Sequence, residues 1–308
     1  MEYNKFGNTG IKVSKVGLGT LTMGGLQKNS TQKEIDLVTS RCVERGINFC
    51  DTAQLYSSYN VAKSMLEKNK DTVIISKSYA WDKKTAREAV EDGLKALNRD
   101  YIDVFLMHEQ ESKYTIKGHW EAVEEYERMK CEGKIKHLGV STHKIELAKE
   151  IWRFPFIEVL HPLINYRGFG LFDGNREDME TAIKNAMDNG VAVYAMKIFG
   201  GGHLLSERKK ALEYLKNSNF PAVIGMQTTK EVDFNCDFIE NGTSSITPEI
   251  QSKQITVHDW CELCGNCVSS CPQNALEIKN GKVEVDKVKC VLCGYCGAHC
   301  ENMCIKIF

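Results

Sequence analysis

Four side chains stand where proton chemistry needs them. Asp51, Tyr56, Lys77 and His108 fall at or just past the ends of the short apolar runs 47–50, 72–76 and 101–107. Buried parallel strands read as such runs, and ionisable groups at their carboxyl ends are the usual material of α/β sites. A carboxylate, a phenol, an ammonium and an imidazole gathered on one rim would serve general acid–base catalysis. A free phenol, with a pKa near ~10, is a poor donor at neutral pH; an ammonium beside it would lower that value, and a carboxylate would keep the ammonium charged and in place. His108 would donate a hydrogen bond to an oxygen on which negative charge develops. Singly, each has a plainer reading: Asp51 as a turn cap, Tyr56 as rim packing, Lys77 as a solvated strand end, His108 as a satisfied rim histidine. Jointly, in this order and at strand ends, they read as a site.

A second chemistry is carried by sulfur. Eight of the thirteen cysteines form two runs, Cys261, Cys264, Cys267, Cys271 and Cys290, Cys293, Cys296, Cys300, with identical spacing repeated 29 residues on. Zinc needs only four thiolates and would leave the third and fourth cysteines of each run unexplained. Cys42, Cys50, Cys131 and Cys236 are scattered as buried or incidental thiols are, and Cys304 reads as a bystander.

The elements that must position these groups follow a regular alternation. Residues 3–15 alternate apolar and polar around Gly7-Asn8-Thr9-Gly10, as a hairpin does, and with no core of their own they would cap something larger. A first strand, Val16-Gly17-Leu18-Gly19, ends at Thr20; Thr31, with Glu34 three residues on, opens a helix that runs to about Arg45 and stops at Gly46. Strands are then expected over 47–50, 72–76, 101–107, 135–140, 156–160, 191–196 and 222–225. Helices follow them over 58–68, 83–97, 118–132, 143–152, 176–189, 206–217 and 229–240. Eight strand–helix units in this length predict an α/β fold, a (β/α)8 TIM barrel with an N-terminal β-hairpin cap. A doubly wound open sheet is the competitor, but no Gly-x-Gly-x-x-Gly follows the first strand.

The hairpin, the Val-Gly-Leu-Gly-Thr strand, Asp51 with Tyr56 five residues on, Lys77 and His108 together resemble the aldo-keto reductase family, over about residues 3–240. The resemblance implies reduction of a carbonyl by hydride from NADP(H) or NAD(H), with Tyr56 as general acid, Lys77 and Asp51 tuning it, and His108 orienting the carbonyl. It also implies cofactor contacts at Gly19, Thr20, Asp51, Ser141, Asn165, Lys197, Gly200, Gly225 and Asn235. The pattern departs from the family at Thr142 (commonly asparagine), at Lys197 (near the place of an aromatic ring that stacks on nicotinamide) and at Met226-Gln227 (in place of an arginine-containing loop for the 2′-phosphate). These departures leave NADPH against NADH open, and whether a nicotinamide is the resident cofactor at all. Tyr79, Trp81 and Trp120 are candidates for a substrate pocket, and packing accounts for them equally well.

The cysteine runs resemble those of bacterial two-cluster ferredoxins, in which the fourth thiolate of each run crosses to the other cluster. The resemblance implies Cys261, Cys264, Cys267 and Cys300 on one [4Fe-4S] cluster, and Cys290, Cys293, Cys296 and Cys271 on the second. Glu301 stands where a second proline often follows the last cysteine. The segment 275–285, alternating around Asn280-Gly281, predicts the hairpin between the halves of a small α+β ferredoxin-like domain. The domains expected are 1–242 for the barrel, 243–256 for a polar linker and 257–308 for the iron–sulfur domain.

Forty basic and 41 acidic residues give a net charge of −1, which offers no electrostatic case for nucleic acid or an anionic membrane. Residues 1–20 lack an apolar core of signal-peptide length and no apolar run reaches membrane-spanning length, so a cytoplasmic setting is expected. Hydride carries two electrons and a cubane passes one. Three functions follow: a carbonyl reductase whose clusters are structural or sense redox state; a reductase linked to a ferredoxin-like partner through a flavin or similar converter in the barrel; and a regulatory protein that binds nicotinamide as a sensor ligand.

Overall fold

The computed structural model describes residues 1–249 and 254–307. After an antiparallel hairpin of β1 (Tyr3–Lys5) and β2 (Lys12–Ser14), eight parallel strands alternate with helices. The strands are β3 (Val16–Gly19), β4 (Phe49–Asp51), β5 (Val73–Ser78), β6 (Ile102–Met107), β7 (Ile135–Thr142), β8 (Val159–Pro162), β9 (Ala192–Val193) and β10 (Ala222–Gly225). From β3 to β9 each pairs with the next in chain order, and β10 returns to pair with β3. The bridge Ala195↔Ala222 joins the segment after β9 to β10 and closes the cylinder. The helices on its outside are α1 (Gln32–Glu44), α2 (Tyr59–Lys68), α3 (Lys83–Leu97), α4 (Lys113–Gly118), α5 (Trp120–Cys131), α6 (Ile145–Glu150), α7 (Arg176–Asp188), α8 (Arg208–Asn217) and α9 (Thr229–Asn241). The capping box read at Thr31 and Glu34 is present at the start of α1.

The core has two layers, and strand alternation sorts residues between them. Phe49, Val73, Ile75, Val104 and Leu106 fill the barrel interior, while Cys50, Ile74 and Phe105 face the helices. Counting by two along β4, β5 and β6 from these residues brings Asp51, Lys77 and His108 to the inside, at the carboxyl ends. Phe6 and Val13 of the hairpin belong to the interior cluster, and Asn8 N–H donates to the Gly190 carbonyl at 3.0 Å, so the hairpin closes one end of the barrel.

Several elements differ from the sequence expectation. Strand β5 extends through Ser78, which places Lys77 within the strand rather than beyond it. The helix expected over 118–132 is preceded by α4, which ends at Gly118, and α5 restarts at Trp120. The strand expected over 191–196 shortens to β9, continued by the single bridges at Ala195 and Met196.

The tail holds β11 (Ile255–Val257), a single-turn helix α10 (Asn266–Ser269), β12 (Leu276–Lys279), β13 (Lys282–Val285), a second such turn α11 (Tyr295–Ala298) and β14 (Ile305–Ile307). The hairpin read over 275–285 is β12–β13. Pairing of β11 with β14 brings the two ends of the tail together, so structure begins within the expected linker. Residues 250–253 of that linker, and residue 308, lie outside the described residues. Among the described residues no helix is long and apolar enough to cross a membrane.

Candidate active site

Asp51 and Lys77 meet at the rim of the barrel interior: Lys77 Nζ donates to Asp51 Oδ1 at 2.7 Å and to the Thr52 carbonyl at 2.8 Å. The other carboxylate oxygen of Asp51 accepts from the Tyr194 hydroxyl at 2.8 Å. His161 stacks on Tyr194, at 3.8 Å between ring centroids, and stands 3.7 Å from Asp51 Oδ2. Tyr56 lies in the short 3-10 turn after β4, its hydroxyl 3.4 Å from His108 Nε2. The structure thus brings Asp51, Tyr56, Lys77 and His108 together from three consecutive strands and one loop.

The electrostatics correct one expectation. Burial, followed by the Asp51 carboxylate, pushes the Tyr56 phenol well above its ordinary value rather than below it. The Lys77 ammonium lies over the ring face, 4.8 Å from its centroid, and is tied to Asp51 and Thr52 rather than to the phenol oxygen. Burial also lowers Lys77, against the pull of Asp51, and drives His108 well below the usual imidazole range, which keeps its ring neutral. Nε2 is the ring nitrogen that meets the phenols; Nδ1 is buried with no hydrogen-bond partner among the described residues.

Beside Tyr56 and Asp51 opens a cavity of about 460 Å³. Of the expected cofactor contacts, Gly19, Asp51, Lys197 and Gly225 line it. Thr20, Ser141, Asn165, Gly200 and Asn235 do not; the first three are engaged elsewhere. Thr20 Oγ1 bonds Ser58 Oγ at 2.6 Å, Ser141 Oγ accepts from Glu109 N–H at 2.8 Å, and Asn165 ties its own loop through Phe169. Asn235 is buried in α9. The lining includes Thr229, Lys230 and Glu231 in the first turn of α9, with Lys28, Arg208 and Glu249 nearby, so cations and carboxylates share this end, and Glu231 accepts from the Gln227 and Thr228 N–H groups. The cavity runs from Tyr56 and Lys197 to the first turn of α9.

The roof of this cavity is the tail. Val291, Leu292 and Cys293 line it, and a side chain at Gly201 would run into the Val291 carbonyl. His203 Nε2 bonds the Cys290 carbonyl at 2.7 Å, Gln27 Nε2 donates to the Leu292 carbonyl at 3.3 Å, and Gln273 bonds His143. Tyr295 packs against Ala53 and Tyr56. Apart from Tyr79, the sequence reading missed this contact set, which also includes Glu109 and His143. Tyr79 stacks on His108 at 4.3 Å and donates to half-buried Glu109 at 2.6 Å, and His143 Nε2 is 3.3 Å from the same carboxyl group. Of the expected pocket aromatics only Tyr79 reaches the site; Trp120 packs edge-on against Phe156 and Trp81 is exposed.

The thiols group across the runs. Cys261, Cys264, Cys267 and Cys300 line a hollow of about 160 Å³, with Cys304 also on its wall. Cys267 is pushed up by burial and by the charges of Cys261, Cys300 and Cys264; Cys296 is pushed up by burial and then by Cys293, Cys290 and Cys271. Backbone N–H groups point at two of the sulfurs, Cys304 at Cys300 Sγ (3.1 Å) and Ala275 at Cys271 Sγ (3.3 Å). Among the described residues no three ligating side chains converge tightly enough for a single ion. Two sets of four thiols, one ringing a hollow, fit a polynuclear iron–sulfur cluster in each. The second set is the inner one: Cys293 lines the barrel cavity and the Cys290 carbonyl is bonded by His203, whereas Cys264 of the first set is exposed.

Comparison with known proteins agrees with both halves. The sequence model of the Aldo/keto reductase family matches residues 15–264, and that of the 4Fe-4S dicluster domain matches residues 253–301. Aldo-keto reductase YhdN of Bacillus subtilis is 32% identical over 206 residues, 61% of this chain and 59% of that protein. Methylglyoxal reductase YeaE of Escherichia coli is 29% identical over 152 residues, 47% of this chain and 51% of that protein. The chain thus spans less than two thirds of the length of either relative. Among solved structures, an aldo-keto reductase from Klebsiella pneumoniae in complex with NADPH superposes with a TM-score of 0.62 at 19% identity, covering 79% of this chain and 91% of that one. Aldo-keto reductase AKR11C1 from Bacillus halodurans gives a TM-score of 0.63 at 19% identity, covering 81% and 92%.

Proposed function

Because the chain belongs to the aldo/keto reductase family, we propose that it reduces the carbonyl group of a small aldehyde or ketone with NADPH or NADH, Tyr56 supplying the proton. The observation that carries this reading is the meeting of Tyr56, His108, Lys77 and Asp51 on one rim beside a cavity that continues to the start of α9. A nicotinamide held along Lys197, Gly225 and the first turn of α9 would supply hydride. Tyr56 hands its hydroxyl proton to the carbonyl oxygen, and its high intrinsic value is offset as the transferring hydride makes that oxygen basic. His108, neutral and presenting Nε2, orients the same oxygen. The Asp51–Lys77 pair, locked by Tyr194 and Thr52, holds a positive charge under the Tyr56 ring and favours the phenolate left behind. Cys261, Cys264, Cys267 and Cys300 would hold one [4Fe-4S] cluster, and Cys271, Cys290, Cys293 and Cys296 a second, in a cytoplasmic setting that keeps the thiols reduced.

One observation favours a second reading, in which the tail feeds single electrons to the barrel. Cys293 lines the same cavity as Tyr56, while Cys264 is exposed, where a ferredoxin-like partner would meet it. This route needs a one-electron/two-electron converter such as a flavin in the cavity.

Anaerobic titration of the cluster-loaded protein with NADPH, then NADH, followed in the visible, separates the readings. Unchanged absorption with turnover of small aldehydes supports the reductase, and bleaching supports the electron-fed route. Tyr56→Phe is expected to lower aldehyde turnover about 100-fold or more. Unchanged turnover in that variant would remove Tyr56 as the acid, and nicotinamide binding without any turnover would favour a sensor.

A further inference from the structure

Tyr295 is the tail residue that reaches the tetrad. It opens the single turn α11 between Cys293 and Cys296, and only 5% of it is exposed. Its hydroxyl lies 3.3 Å from His108 Nε2, the same nitrogen that the Tyr56 hydroxyl approaches at 3.4 Å. Its ring meets those of His108 and Tyr79 edge-on, at 6.3 Å in each case. His108 is therefore enclosed by three phenols, two from the barrel and one from the tail.

A phenylalanine would fill the same volume, so the hydroxyl needs its own explanation. A phenol oxygen withdrawn from water costs free energy unless it is hydrogen-bonded; here the Tyr295 hydroxyl meets the nitrogen expected to orient the carbonyl, and it also bonds the Tyr56 and Tyr79 hydroxyls. One ring nitrogen carries either one hydrogen or one lone pair. With two phenol oxygens at that nitrogen, only one of them pairs fully with Nε2 at a time, so the Tyr295 hydroxyl competes with the Tyr56 hydroxyl for it. It also fixes the imidazole at its outer edge, where Tyr79 supports only the ring face.

We propose that Tyr295 is a positioning residue of the carbonyl-reducing site: a phenol carried by the cysteine-rich tail holds His108 and Tyr56 in the arrangement that receives a carbonyl oxygen, so the site is complete only with the tail seated on the barrel. This rests on the reductase reading above. The tail contacts at Gly201, His203 and Gln27 hold the backbone on both sides of Val291 and so deliver Tyr295 to its place. Cys293 and Cys296 flank it, which ties its position to the folding of the second cysteine run.

The test uses the cluster-loaded full chain with 4-nitrobenzaldehyde and NADPH, comparing Tyr295→Phe with Tyr295→Leu. Tyr295→Phe is expected to lower kcat about 10-fold or more, with KM, the NADPH dissociation constant and the visible spectrum within about twofold, because it removes an alignment and not a binding surface. Wild-type kcat in Tyr295→Phe together with a loss in Tyr295→Leu would show ring packing alone and overturn the proposal. Melting gives a readout free of turnover. Tyr295→Phe and His108→Asn are each expected to shift the midpoint by about 2–4 °C, and the double variant by less than their sum, since both break one contact. Additive shifts overturn the contact itself. Non-additive shifts in a protein that turns over no aldehyde overturn the reductase reading instead.

Discussion

The Lys77 ammonium lies 2.7 Å from Asp51 Oδ1, with side-chain exposures of 1% and 5%. A buried ion pair is costly to desolvate, and removing one partner strands the other charge. Lys77→Met is expected to destabilise the protein by about 3–5 kcal/mol, although Asp51 keeps its bond from Tyr194. Lys77→Met combined with Asp51→Asn is expected to cost less than the sum of the single changes, since no lone carboxylate remains. Urea midpoints of the four proteins check this, and strict additivity would mean that the pair does not act as a unit.

The two thiol sets are placed differently, so they are expected to answer differently. Cys264→Ala and Cys293→Ala should each reduce iron from about eight to about four atoms per chain. Only Cys293→Ala should weaken nicotinamide binding, because Cys293 lines the cavity and Cys264, which is exposed, does not. Iron analysis with a fluorescence binding curve measures both, and equal loss of affinity in the two variants would count against the inner and outer assignment.

Gly201 has φ +72° and no room for a side chain against the Val291 carbonyl. Gly201→Ala therefore combines backbone strain with a steric push on the tail. The expected result is about 10-fold weaker nicotinamide binding and faster proteolysis of the tail, equivalent to about 1.4 kcal/mol. Wild-type affinity and protease resistance would show that the tail does not close the cavity through this contact.

Burial brings His161 down to about 4 from 6.5, with Lys77 and Lys197 adding to it and Asp51 and the Tyr194 carbonyl opposing. The folded protein keeps the ring neutral while the unfolded chain takes up a proton near 6.5, so the unfolded state binds more protons between these values. Stability is full above about pH 6.5 and falls as pH drops toward 4, at up to about 1.4 kcal/mol per pH unit for this proton. His108 and His143, also lowered by burial, act in the same sense. His161→Gln is expected to flatten the slope of urea midpoint against pH between 6.5 and 5, and an unchanged slope would remove His161 from the acid limb.

Much of the barrel was legible because its signals are local. Runs that alternate by two along β4, β5 and β6 bring Asp51, Lys77 and His108 to one side, and any chain with that period must turn them inward together. Thr31 with Glu34 marks the start of α1 through hydrogen bonds between near neighbours. The cysteine spacing likewise records which thiols one turn can present. The direction of the Tyr56 shift was misread because burial and the Asp51 carboxylate both raise it while the Lys77 ammonium is tied to Asp51 and Thr52, and spacing contains neither the burial nor those distances.

The contacts between the halves left almost no trace in the sequence. Tyr295 is one of two residues between Cys293 and Cys296, and an aromatic at that place signals little by itself. Glu109, His143 and Gln273 carried no signal of a site in the sequence, and only barrel closure and tail docking bring them together. Residue order thus determined the elements, the inward-facing tetrad and the thiol spacing, because these depend on neighbours along the chain. Which surface of the barrel the tail covers was decided only in the tertiary structure, because docking depends on the fit of distant backbones, Gly201 against Val291 and Gly294 against Leu26.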